Sequence, residues 1–167
     1  MTAQLDLTLI ERAQWMGLLA RAPLDLLEKS IESYTHLDFE ILKPFETVAY
    51  MVQARTGGKG QRFNMGEVSV AKTIIKLHIP HEDGSPLQKH VGVAYIKSGS
   101  ERQTFLAAVA DALLQDSSHR NTIIQTLLVP LQDLLSREEE IALNKVRATK
   151  VESVSYTHLT LPTIYSV

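Results

Sequence analysis

The chain contains no cysteine. That excludes disulfides, thiolate nucleophiles and thiolate-bound metals at once, and it is compatible with a reducing cytoplasm. An excess of basic charge is also missing. Seventeen Lys and Arg stand against 19 Asp and Glu, a formal net charge of −2, whereas a nucleic-acid binder normally carries a basic face. No apolar run approaches the roughly 20 residues that a membrane span requires. Met1 to Asp6 has no basic stretch leading into an apolar one, so no secretory leader is expected. What remains is ordinary for a globular chain: 167 residues, 44% hydrophobic and 22% charged, enough for one domain with its own core. The expectation is a soluble, cytoplasmic protein.

Hydrophobic periodicity divides the chain into three parts. Thr8 to Arg21 reads as a helix, with Thr8 as cap, Glu11 in capping-box position, and Leu9, Ala13, Met16 and Ala20 as its apolar stripe. Pro23 suits the first turn of a second helix, with Leu24, Leu27 and Ile31 inward. The period then shortens to 2. Strands are expected at Phe39–Leu42, Val48–Arg55, Val68–Ile79 and Val91–Ile96, the third with a bulge or a late start where Val68 and Val70 give way to Ile75, Leu77 and Ile79. With no helix between them, the four should form an antiparallel meander. Helical spacing returns after a capping box at Ser100 and Gln103, through Phe105, Leu106, Val109 and Leu113. A further helix is expected from Asn121 to Val129, broken or kinked at Pro130. Another capping box, Ser136 with Glu139, should open a charged helix reaching Glu152 whose sparse apolar positions need a surface to lie on. The fold class is α+β, a four-stranded antiparallel meander flanked by N-terminal and C-terminal helices.

The candidate site is the run Gln53 to Glu67. Gly57, Gly58 and Gly60 let backbone amides turn inward, and Arg55, Lys59 and Arg62 supply positive charge. With Asn64, they form a candidate contact for an anion or a partner carboxylate. The spacing is neither that of a P-loop nor that of a dinucleotide fingerprint. By composition alone, a plain connection between strands with solvated basic residues is the simpler reading. His78, His81 and His90 with Glu82 and Asp83 could suggest a metal, but polar hairpin residues explain them more simply. The Arg137–Glu140 run reads as a solvated helix start, and Trp15 as a core or interface anchor. No serine sits in a nucleophile elbow and no paired carboxylates stand out. No catalytic residue and no metal site is assigned.

Four stretches carry a resemblance. Arg12–Met16, Val52–Glu67, Gly92–Tyr95 and Ala110–Gln115 resemble, in order and spacing, the PhnG family, the G subunit of the bacterial carbon–phosphorus lyase system. The likeness runs from about Arg12 to Glu152, so residues 1–152 are taken as one domain of this type. From Ser153 to Val167 no Asp, Glu, Lys or Arg occurs, and VSYTHLTLPT resembles a translated library adaptor. Residues 153–167 are expected to be a non-native tail, standing in place of the native C-terminus and of a stretch that would meet a partner. The resemblance implies a hetero-oligomer with the H, I and J subunits, working with the L protein. It further implies a first step in which a phosphonate displaces adenine from the ribose C1 of ATP. Nucleosidase chemistry belongs there to the I subunit and C–P cleavage to the J subunit, so the G subunit is expected to be inactive alone and to bind no cofactor itself. Two departures stand out. Ser98-Gly99 and Gln103 replace the Gly-Arg pair and His usual before this helix, and the aromatic residues that usually follow Glu152 are replaced by the tail. The competing readings are a free-standing phosphate-binding enzyme and an adaptor without ligand contact.

Overall fold

The computed structural model describes residues 10–80 and 88–149. The chain divides into two compact units, residues 1–134 and residues 135–167. The first opens with helices α1 (Arg12–Leu19) and α2 (Leu24–Ile31) and a short 3-10 turn, Glu32–Tyr34. Strands β1 (Phe39–Arg55), β2 (Arg62–Ile79) and β3 (Gln88–Lys97) follow. Then come α3 (Glu101–Gln115), α4 (Ser117–Ile123), a π turn at Ile124–Leu128 and α5 (Val129–Ala148), which crosses into the second unit. The architecture is α+β with an antiparallel sheet in the order β1-β2-β3.

The sheet has three strands, not four. The expected first and second strands are one strand, β1, and Pro44 lies inside it. Pro44 is tolerated because β1 is an edge strand, where a missing N–H costs no ladder bond, and because the register shifts beside it, between Ile41 and Lys43 and again before Glu46. No bulge interrupts the pairing of β2 with β3, which runs without a break from Val70–Lys97 to Ile79–Gln88; the irregularity lies in the pairing with β1, which shifts register opposite Lys72 and Ile74 and again between Gly66 and Asn64. Ala71, Thr73, Ile75, Leu77 and Ile79 are buried on one face, and Val68 and Val70 belong to the other. The change of parity in the sequence marks a change of which face is apolar.

The buried face of the sheet lies under α3, which packs on β3 and β2 and also meets α1, α2 and α4. A helix so enclosed must be apolar nearly all round, and Leu106 to Leu114 are buried without interruption. Ser100 caps α3 through its hydroxyl, which accepts from Gln103 N–H at 3.2 Å. The Gln103 side chain does not reach back to close the box but donates to Ala22 O at 2.8 Å, tying α3 to the α1–α2 connection.

Local signals shift elsewhere. Glu11, not Thr8, caps α1, its N–H donating to Gln14 Oε1 at 2.9 Å; Thr8 itself lies outside the described residues. Trp15, Leu18 and Leu19 are the buried side chains of α1, while Ala13 is exposed and Met16 and Ala20 are half-buried. Pro23 is the N-cap of α2. Pro130 breaks nothing, because it stands in the first turn of α5, where its missing N–H is not required. The π turn directly before it takes up the change in hydrogen bonding. Ser136 lies inside α5 and starts no helix. In the second unit, Ile141, Leu143 and Val146 are exposed.

Candidate functional site

β3 covers β2 only from Val70 to Ile79, so β1 and β2 continue beyond it as a two-stranded arm. The arm holds the Gln53–Glu67 run at its tip. A 3-10 turn at Thr56–Gly58 joins the strands, with Gly57 at φ 56° and Gly58 at φ 77°. Such left-handed backbone strains any residue with a Cβ, which is why glycines occupy the turn. Gly60 N–H closes it by donating to Thr56 O at 2.8 Å.

Arg55 and Arg62 are direct cross-strand partners at the base of this turn. Two guanidiniums set opposite one another repel, and among the described residues neither has an acidic partner. Asn64 faces Gln53, whose Nε2 donates to Asn64 Oδ1 at 3.3 Å. The structure therefore brings Arg55, Arg62 and the turn glycines to one tip and ties Asn64 into the ladder behind it. The rest of the arm is unusually apolar for a bare ribbon: Tyr50, Met51, Val52, Phe63 and Met65 are exposed, Met65 at 67%. Tyr50 opposes Val68 and Val48 opposes Val70. An apolar stripe thus runs from the arm onto the sheet face that the helices leave open, where Val91 and Tyr95 are exposed as well. Exposed apolar surface of this extent is typical of interaction sites.

A second constellation is buried. Asp111, on α3 and fully inaccessible, receives Arg12 Nε at 3.2 Å and Arg12 Nη2 at 2.7 Å. Trp15 Nε1 donates to it at 2.8 Å and Val93 N–H at 2.9 Å. Gln115 Nε2 donates to Val91 O at 2.8 Å and to Asp111 O at 2.9 Å. One carboxylate thereby joins α1, β3 and α3 through charge-assisted bonds. Gly92 belongs to the same seam, since a Cβ there would stand 1.9 Å from Ala108 O. Only glycine lets β3 and α3 approach this closely.

His78 and His90 do not converge. His78 pairs with Lys89 and His90 with Leu77, so strand alternation puts the two imidazoles on opposite faces; His81, Glu82 and Asp83 lie outside the described residues. His78 Nδ1 lies 3.1 Å from Asp38. His119 Nδ1 lies 2.6 Å from Asp116, the buried cap of α4, and His90 Nε2 is 3.8 Å from the same carboxylate. Among the described residues no three His, Asp or Glu are arranged to hold a metal, and no helix is long and apolar enough to cross a membrane. A pocket of about 500 Å³ lies between β1 and the start of α3, lined by Ile41, Phe45, Thr73, Ser100, Glu101, Arg102 and Phe105. It holds one acid and one base, and Arg102 is already drawn toward Glu28 at 3.6 Å and Glu32 at 3.9 Å. Ser100 in its wall is engaged as the cap of α3.

Comparison with known proteins bears on this arrangement. The family described as phosphonate metabolism protein PhnG matches residues 10–156. The chain belongs to the PhnG family. A protein of Rhizobium meliloti (strain 1021), named alpha-D-ribose 1-methylphosphonate 5-triphosphate synthase subunit PhnG, is 27% identical over 148 residues, 88% of each chain.

The stretches that carry the PhnG resemblance separate into two places in the structure. Arg12, Trp15, Gly92, Val93, Asp111 and Gln115 meet at the buried carboxylate and hold the fold. Gln53 to Glu67 is the exposed arm. A buried residue needs no functional explanation, but an exposed apolar and basic ribbon does. The carboxylate hub escaped sequence reasoning because its members lie up to 99 positions apart. An Arg and a Trp three residues apart on one helix, with a lone Asp in the apolar run from Leu106 to Leu114, were the available signal.

Proposed function

We propose that this chain is a non-catalytic subunit of a cytoplasmic assembly that joins a phosphonate to the ribose of ATP. In that reaction a phosphonate oxygen bonds to C1 of the ribose, the bond from C1 to adenine breaks, and adenine leaves as the base. The product is a ribose 1-phosphonate 5-triphosphate. The observation that carries this reading is the arm. Its tip and strands form the densest part of the family likeness, yet they hold no acid–base pair and no nucleophile. They offer a neighbour apolar side chains and two arginines that no acid among the described residues engages. The arm docks on another subunit, with Arg55 and Arg62 gripping a carboxylate there or the anionic substrate at the boundary. Proteins of the H, I and J type are the expected partners, with the L protein acting alongside. ATP is used by the assembly, and no cofactor is held by this chain alone.

The test is adenine release from ATP and methylphosphonate. The purified chain alone should release none, the other subunits without it should release little, and the reconstituted set should be active. Turnover by the chain alone, abolished by Arg62→Ala, would make it a free-standing phosphate-binding enzyme and overturn the reading.

A further inference from the structure

The sheet has two outer edges. Along β1, bulges and Pro44 make a poor template for another strand. Along β3, hydrogen bonds establish which peptide groups face outward. Ser98 N–H donates to Ser69 O at 2.9 Å, so even-numbered positions bond toward β2. Odd-numbered positions point away: Val93 N–H donates to Asp111, and Val91 O accepts from Arg12 and Gln115. Side chains thus occupy the edge at residues 91 and 93. The next outward position is Tyr95, and among the described residues its N–H and C=O have no partner.

Beside Tyr95, the edge borders an apolar groove of about 240 Å³, whose far wall is α1 with Met16, Gly17 and Ala20. Met16 and Ala20 are two members of the stripe that the sequence marks as inward, yet both are only half-buried. At Gly17 an added Cβ would meet nothing within 4 Å. An unpaired peptide edge and an unfilled apolar wall therefore face one channel.

We propose that an extended segment of another subunit adds to β3 in this groove as a further strand. It pairs with Tyr95 N–H and C=O and inserts one apolar side chain against Met16 and Ala20. The proposal rests on the reading of this chain as a subunit, and adds a contact separate from the arm. An extended chain matches because it presents N–H and C=O in alternation and directs every second side chain to one face. A helix has spent those groups internally. A second copy of this chain is a poor occupant, because its own α1 flanks the same edge and would meet this α1 first.

The experiment uses the full chain with its reconstituted partner subunits. Gly17→Leu and Ala20→Leu narrow the groove without introducing a helix breaker, and each should weaken assembly by about tenfold with the melting temperature kept. In the wild-type complex, amide exchange at Tyr95 should slow by about tenfold or more, while Ala94 and Ile96, already bonded to β2, change little. That alternation distinguishes strand pairing from any other cover. Unchanged affinity in both variants with unchanged Tyr95 exchange would overturn the proposal. So would a dimer of the chain alone that Gly17→Leu dissociates. If the wild-type chain fails to join its partners at all, the subunit reading itself has failed.

Discussion

At the scale of single residues, the account turns on Asp111. Its carboxylate is inaccessible and accepts from Arg12, Trp15 and Val93. Arg12 is 43% exposed and can rehydrate if the acid is removed, whereas the Trp15 and Val93 donors cannot. Asp111→Ala should therefore cost about 3–5 kcal/mol of stability, the range for breaking a buried charged pair, read as a fall in the urea midpoint with the slope retained. A loss under about 1 kcal/mol would show that the hub is not the clamp described. Gly92→Ala should cost about 3 kcal/mol, at the upper end of overpacking, because the methyl would collide with backbone at Ala108, not with a movable side chain. Both changes lie away from the arm, so any residual folded protein should keep the arm's own contact with a partner. Sequence alone supplied the identities of these residues but not their meeting. Helical spacing connects positions three or four apart, and nothing local connects Arg12 to Asp111.

At the scale of elements, alternation marked part of each strand and helical spacing the long α3, but boundaries were harder, and Arg62–Glu67 of β2 read as connection. A proline normally argues against a strand interior, yet Pro44 is admitted because β1 is an edge. Edge position is a property of the whole sheet and cannot be read locally. Ser136 with Glu139 is a capping box only if the chain leaves helical geometry there, and α5 does not. On the open face, β1 is fastened to β2 by Lys76 with Glu40 and by Lys72 with Glu46 at 3.0 Å. The hydrogen bond from Lys76, then its charge, holds the Glu40 carboxyl below the usual carboxylate range. Its small contribution to stability is thus present at neutral pH and is lost as pH falls through that lowered value. Lys72 is held above the usual lysine range, first by its hydrogen bond to Glu46. That contribution persists through neutral pH and is lost only as pH rises past the raised value. A carboxyl-carbon NMR titration should find the Glu40 midpoint moving upward in Lys76→Met. An unmoved midpoint would mean that the pair is not formed in solution.

At the scale of the whole molecule, composition left no cysteine for thiol chemistry and gave no reason to expect a nucleic-acid binder, and the order of motifs pointed to the PhnG family. It could not separate residues that build the protein from residues that meet others. Burial does so: one set of family residues lies at the Asp111 hub and the other on a bare arm. The arm contributes little to the core, so changes at its tip should leave folding intact and affect assembly. The decisive quantity is the affinity of the Arg55→Ala, Arg62→Ala double variant for its reconstituted partner subunits, measured beside its melting temperature. The expected result is an unchanged melt and binding weakened by about tenfold or more, equivalent to about 1.4 kcal/mol, with adenine release falling in step. Full affinity and full activity would reduce the loop to a connection between strands, and an unfolded variant would make the arginines structural. Either outcome would contradict the assignment of the arm as the docking element.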